Sequence, residues 1–308
     1  MPRLLLTALA LLLALAACSR TQSPAPHQIH IVGSSAGFPF SSMAAERLMR
    51  EDVAAIAPLV RAGGSGAGIA RFCDGPGRLH PDIVIAARPM TPAETRRCAA
   101  DGVTRIAAVP IGFTAFVLVT ARGSAALPLT RATLSAALTT TARRWSDVDR
   151  ALPATPIRIV GPALDPAIAD GLVDRLLVTG ASHIRHDEGY AGYGADAERV
   201  ARGVAETPGT IGILPYAQAW QHRGTLRLLA LDGVAPTPQT IASGRYPASA
   251  PLLLLAKPDE TAHVPALPRL LSYYAGGLAP TGAFVPQGLV PLADTAAAAR
   301  QLTVLEHP

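Results

Sequence analysis

Cysteine is scarce in this 308-residue chain: it has three, far too few for a scaffold built on disulfides. Lysine is scarcer, because Lys257 is the one lysine among 27 basic residues. Charged residues reach only 16% beside 49% hydrophobic ones, a balance that excludes an intrinsically disordered chain. No apolar run attains the ~20 residues needed to span a bilayer. Residues 4–17 stop short of it, and residues 106–120 are interrupted by Pro110 and Gly112. Collagen-like and internal repeats are absent. What is abundant is proline (28) and glycine (27), with an arginine-borne net charge of +5. The length suits one large or two medium domains. The charge is compatible with an anionic ligand, an anionic membrane surface or nucleic acid.

The amino-terminal segment narrows this. Arg3 supplies a short positive start, and residues 4–17 form an apolar core of signal-peptide length. The run ends Leu15-Ala16-Ala17-Cys18, which resembles the lipobox of bacterial lipoproteins. Residues 1–17 are therefore expected to be a lipoprotein signal peptide, Cys18 the lipidated residue, and residues 18–28 a polar, proline-containing tether. The expected mature protein is a membrane-anchored lipoprotein of the periplasm or cell envelope. Its 26 basic and 22 acidic residues no longer point toward nucleic acid. In that oxidising compartment Cys73 and Cys98 are expected to pair. The bridge would close a loop of 25 residues, worth roughly 3 kcal/mol by loop-closure entropy. A catalytic thiol would need an adjacent base, and none is evident.

Along the chain, short β-like runs alternate with helical stretches. Strands are expected at 29–32, 53–59, 82–86, 157–160, 211–214 and 252–257. Helices are expected at 41–51, 92–101, 130–139 and 166–177, and 109–120 reads as a strand pair or a crossover. Such alternation predicts parallel sheets covered by helices.

Two strand-to-helix junctions are rich in glycine and serine: Gly33-Ser34-Ser35-Ala36-Gly37-Phe38-Pro39 and Gly63-Gly64-Ser65-Gly66-Ala67-Gly68. Glycines let backbone N–H groups converge on a point, serine hydroxyls donate beside them, and a helix N-terminus favours negative charge there. Other glycine-loop chemistries fail on spacing. The second loop has no Gly-Lys-Ser/Thr for a Walker motif, and Ala67 breaks the nucleophile elbow around Ser65. Dinucleotide binding would use Asp82 about 20 positions on, an unsuitable reading for a strand-start residue in an exported protein. A serine hydrolase using Ser35 or Ser65 lacks an evident Ser-His-Asp set.

As an ordered set these segments resemble the phosphate-binding component of the bacterial phosphate ABC importer. The resemblance runs from about Ile29 to Lys257. It is carried by residues 33–39, Gly64-Ser65-Gly66, Arg71-Phe72-Cys73, Asp82-Ile83, Arg88-Pro89, Glu94 and Cys98. Further on it is carried by residues 208–213 with Tyr216-Ala217, and by Gly244-Arg245-Tyr246-Pro247 with Pro251-Leu252.

The resemblance implies an α/β, two-lobe periplasmic binding protein-like (type 2) fold with a central cleft and two interlobe crossovers. Lobe I would be residues 29–112 plus 228–308, and lobe II residues 113–227. The chain would not be an enzyme and would need no cofactor or metal. As a monomer it would bind phosphate or a related oxyanion and present it to an inner-membrane ABC permease. The alternative is a diverged binder of another small anion, or a sensing lipoprotein. The implied ligand residues are Ser35, Ala36, Gly37, Phe38, Ser65, Gly66, Asp82, Arg88, Arg158 and Asp165, with Asp82 or Asp165 accepting the phosphate proton.

The sequence departs from the family pattern at Ala36 and Ala87, where hydroxyl residues are usual, and at Pro166, which has no N–H to give. Two other features stand apart. His183, His186, Asp187 and Glu188 have a spacing that could hold a metal, with a solvated loop as the simpler reading. Arg143-Arg144-Trp145 could be a membrane-surface or nucleic-acid patch, with a basic surface turn as the simpler reading and nucleic acid disfavoured by export.

Overall fold

A computed structural model describes residues 27–52, 54–163, 175–176, 184–185, 187–261 and 263–306. The expected signal segment, Cys18 and most of the expected helix at 166–177 lie outside the described residues.

Among the described residues the strands form one mixed sheet in the order β2-β1-β3-β9-β4-β7-β5-β6, with β8 also on β4. They are β1 (His30–Gly33), β2 (Leu59–Ala62), β3 (Ile83–Ala86), β4 (Ala107–Ala121), β5 (Ile159–Gly161), β6 (Tyr190–Gly192), β7 (Ile211–Pro215), β8 (Leu226–Leu229) and β9 (Ser249–Ala256). β1 runs parallel to both β2 and β3, and β5 runs parallel to both β6 and β7. Two parallel cores thus lie on either side of β4. That strand is where they join. Its first part, Ala107 to Ala115, pairs antiparallel with β9, while Phe116 to Ala121 pairs with β7 and β8. The stretch read as a strand pair or a crossover is a single continuous strand shared by both halves.

The irregularity at Pro110 and Gly112 does not break β4; it appears as a register shift in the β9 pairing. Gly112 is required there, because a side chain would meet the Val290 carbonyl oxygen at 2.7 Å in a left-handed conformation of φ +155°. The return crossing is β9. Residues just after 228, assigned to lobe I by the resemblance, still pack with the second half: Leu229, Leu231, Ile241, Tyr246 and Ala248 share its core with Trp145, Leu214 and Val204. The first half has its own core of Ile31, Phe40, Leu48, Ile85, Leu254 and Tyr274.

The helices follow from local sequence. In α1 (Phe38–Glu51), Pro39 occupies the first turn, and Phe40, Ala44 and Leu48 recur every four residues to form the buried stripe. α2 (Ser65–Phe72) starts where Gly64 takes φ +91°. α3 (Pro92–Ala100) opens with a Thr91/Glu94 capping box. The Cys73–Cys98 disulfide joins the end of α2 to α3, with a Cα–Cα distance of 4.2 Å.

The second strand differs from the expectation of 53–59. Asp52 ends α1 and turns the chain, its Oδ1 accepting from Ala54 N–H at 3.1 Å. Pairing with β1 begins only after Pro58, at Leu59. No helix of the described residues is long and apolar enough to cross a membrane.

Candidate anion site in the interlobe cleft

In open α/β sheets, ligands bind outside the carboxyl ends of the parallel strands, and here three such ends are drawn together. The N–H groups of Gly63 and Gly64 donate to the Gly33 carbonyl at 2.9 and 3.0 Å, and Ser34 N–H donates to Ile85 O at 2.7 Å. Ser65 Oγ accepts from Ala87 N–H at 2.9 Å. The two glycine loops and the segment after β3 therefore form one backbone platform. Its tightness explains its composition. A Cβ on Gly33 would lie 2.1 Å from Ile85 O at φ +131°, and one on Gly37 would lie 2.1 Å from Ile85 Cγ2.

The first loop is also held from beneath. Ser34 Oγ accepts from Ala36 N–H at 3.2 Å. Tyr274 hydroxyl donates to Ser41 Oγ at 2.7 Å, and Ser41 donates on to Gly37 O at 3.2 Å. Burial pushes the Tyr274 phenol up, so it remains a donor across the physiological range. From this platform α1 and α2 both begin, so two helix N-termini share one edge.

Facing it is a second wall. Ser35, Phe38, Pro39 and Ala62 look across a cavity of about 330 Å³ to Ala195, Asp196, Ala197, Glu198, Gln218 and Gln221. Phe38 exposes 42% of its surface, and this opening accounts for part of it. Asp196 caps α4 (Ala197–Glu206), accepting from Arg199 N–H at 2.9 Å. Glu198 lies 2.8 Å from His222 Nε2. Gln218, on α5 (Tyr216–Gln221), bridges the walls: its Nε2 donates to Ser35 O at 2.8 Å. Its Oε1 is buried without a hydrogen-bond partner among the described residues. Tyr190 hydroxyl donates to Pro162 O and holds the chain leaving β5.

The expected ligand residues divide sharply. Ser35 and Phe38 line the cavity, with Ala36 and Gly37 in the turn that supports them. Ser65 and Gly66 open α2 on the shared platform, but Ser65 is fully buried and its hydroxyl holds Ala87 N–H. That placement removes it as a hydrolase nucleophile. Asp82 sits at the opposite end of β3. His27 Nε2 lies 2.9 and 3.1 Å from its oxygens, and His30 N–H donates to it at 2.8 Å. Arg88 grips Glu94 with two guanidinium nitrogens, at 2.8 and 2.7 Å, and is not among the described residues that line the cavity. Arg158 precedes β5, whereas the cleft lies beyond that strand's carboxyl end. Asp165, like Pro166, lies outside the described residues. Lys257 is buried, its ammonium donating to Gly75 O at 2.6 Å and sitting 4.5 Å over the Phe72 ring. The described walls of the cavity thus carry Asp196 and Glu198 but no arginine or lysine.

Gln218 and Gln221 were not anticipated. Their position just after β7 follows from Tyr216-Ala217, which mark the segment in the resemblance, but nothing in a glutamine signals a bridge to a residue 183 positions away. Of the metal-spaced cluster, His183 and His186 lie outside the described residues, and no metal-type grouping occurs among those described.

A family profile described as the PBP superfamily domain matches residues 19–276. The chain belongs to the PBP superfamily. Solved structures share this PBP superfamily fold over most of its length. A possible phosphate-binding protein from Planctomyces limnophilus is 21% identical with a TM-score of 0.66, over 92% of this chain and 99% of that one. A candidate phosphate ABC transporter substrate-binding protein from Clostridium perfringens, with bound phosphate, is 17% identical with a TM-score of 0.65, over 86% and 99%. An ABC-type phosphate transport receptor from Vibrio cholerae is 17% identical with a TM-score of 0.56, over 80% and 98%. No curated protein matches the chain in sequence.

Proposed function

We propose that this PBP superfamily member is an extracytoplasmic solute-binding protein that takes phosphate or a related oxyanion into the interlobe cleft. It hands the ligand to an inner-membrane ABC permease, acts as a monomer, and is held to the membrane by a lipid on Cys18. The observation that carries this reading is a backbone platform built from three strand ends and two helix N-termini, whose Ser35, Phe38, Pro39 and Ala62 line a 330 Å³ cavity. Backbone N–H groups and helix dipoles stabilise an oxyanion without a full counter-charge. On the opposite wall Asp196 and Glu198 carry carboxylate acceptors. They suit an oxyanion that still carries a proton and disfavour a fully ionised one such as sulfate. The phosphate named for the three similar structures supports the same ligand class. Closure of the lobes about β4 and β9 would then present the loaded form to the permease. The lipid anchor rests on residues 4–17 and the Leu15-Ala16-Ala17-Cys18 ending.

A second reading, a binder of another small anion or a sensing lipoprotein, is favoured by the absence of arginine from the described cleft walls. Calorimetric titration of phosphate-stripped protein separates the two. Saturable binding of phosphate over sulfate is expected. No heat at millimolar phosphate, with a thermal shift from a different anion, would establish the second reading instead.

A further inference from the structure

A second concentration of positive charge lies outside the cleft. Residues 143–145 and 155–157 form a short antiparallel ladder: Trp145 N–H donates to Thr155 O at 3.0 Å and Ile157 N–H to Arg143 O at 2.8 Å. Arg144 pairs with Pro156. Because side chains alternate along a strand, Arg144 and Arg158 are diagonal neighbours on one face of that ladder, ~7–8 Å apart at the backbone. Trp145 is fully buried, so it anchors the arginines rather than entering a membrane.

Arg143, Arg144, Arg158 and Arg185 line a cavity of about 640 Å³, roughly twice the volume of the interlobe cleft. It lies at the amino-terminal end of β5, and the cleft lies past the carboxyl end of that strand. One wall is rigid. Arg185 is buried to 6% exposure and donates to Ala137 O and Ala142 O, while gripping Asp187 through two nitrogens at 2.5 and 2.8 Å. The guanidiniums of Arg143, Arg144 and Arg158 have no hydrogen-bond or ion-pair partner among the described residues. Two nearby carboxylates are already engaged, Asp187 by Arg185 and Asp147 by the backbone N–H groups of Arg143 and Arg144. Glu188 is left to offset one charge. Like charges fixed side by side repel, and guanidinium forks match phosphoryl oxygens bidentately.

We propose that this cavity is a second anion site, taking a ligand with two adjacent phosphoryl groups such as a diphosphate or a short polyphosphate. The site is independent of the cleft and of what the cleft binds. Inorganic pyrophosphate is the probe, titrated calorimetrically into protein held in excess orthophosphate. Expected is one saturable pyrophosphate event that weakens at least tenfold in Arg144→Gln and again in Arg158→Gln. It should stay unchanged in Arg150→Gln, an exposed arginine outside the cavity. Melting temperatures without ligand should match among the variants, showing that the fold is intact. Undetectable pyrophosphate binding, or equal affinity in all variants, would overturn the site. So would an event abolished by competing orthophosphate. Phosphatidylglycerol vesicles form a second arm: association with them in the absence of any pyrophosphate binding would assign the arginines to a membrane surface and overturn the soluble-ligand proposal.

Discussion

Gly33 and Gly37 meet the same neighbour, Ile85, for different reasons. Gly37 has an ordinary right-handed backbone, φ −89°, so Gly37→Ala adds only side-chain contacts with Ile85, at 2.1 Å to Cγ2 and 2.8 Å to Cβ. Overpacking of that kind costs about 1–3 kcal/mol. Gly33→Ala adds a clash with a backbone oxygen and an unfavourable φ, so its denaturation midpoint should fall further than that of Gly37→Ala. Glu94 offers a pH test. Burial alone would raise its carboxyl, but the Arg88 fork and the Thr91 N–H outweigh this and hold it below the usual range. A depressed acid contributes stability above its unfolded value of ~4.3 and loses it as pH falls through the folded value. Glu94→Gln should therefore cost about 1–2 kcal/mol at pH 7 and flatten the loss of stability below pH ~4.3. Asp187 is held at about 2 by Arg185, with help from the Gly189 N–H. Carboxyl NMR should find it ionised well below pH 4, the ordinary value.

Among the elements, α2 carries most of what the site asks of sequence. Its N-terminus is set by Gly64 at φ +91° and its far end is tied to α3 by Cys73–Cys98. Replacing both cysteines by serine should lower unfolding free energy by about 3 kcal/mol, read from chemical denaturation as a lower midpoint with a steeper slope, because the uncrosslinked unfolded chain exposes more surface. The glycine loops, α1, α3, β3 and β7 were all legible, because each rests on a local signal: a turn residue, a cap, a four-residue stripe or an apolar run; the disulfide was legible from the compartment and the cysteine count. Where the arginines fall was not legible. Arg88 and Arg158 have the right chemistry, yet Arg88 is claimed by Glu94 six residues on, and Arg158 stands at the wrong end of a three-residue strand. Asp82 failed for the same reason as Arg158. Motif order locates a segment, but strand direction decides which of its ends meets the ligand. The Gln218 bridge depends on a contact between distant segments, which no local pattern encodes.

The whole molecule is arranged so that α5 belongs to both halves. Ala217 packs in the first core and Tyr216 and Ala219 in the second, while Trp220 Nε1 donates to Pro286 O at 3.1 Å. The closure proposed for transport would therefore pivot beside α5, β4 and β9. Small-angle scattering should show a smaller radius of gyration when the cleft ligand is added, and an unchanged radius would argue against closure as the transport signal. Gln218→Leu removes the interlobe donor to Ser35 O, which still accepts from the Phe38 N–H; losing that one hydrogen bond costs about 0.5–1.5 kcal/mol, to be read as a lowered denaturation midpoint.

The shared strand β4 has a further consequence, thermodynamic rather than geometric. Residues 107–115 complete one hydrogen-bonded array and residues 116–121 the other, and β9 with the Phe113–Val290 bridge fastens the same place. Neither half can melt while its neighbour keeps an intact edge, because melting removes a strand from both. Two cores that look separable in cross-section should disappear together: a single endotherm, with calorimetric and van't Hoff enthalpies that agree.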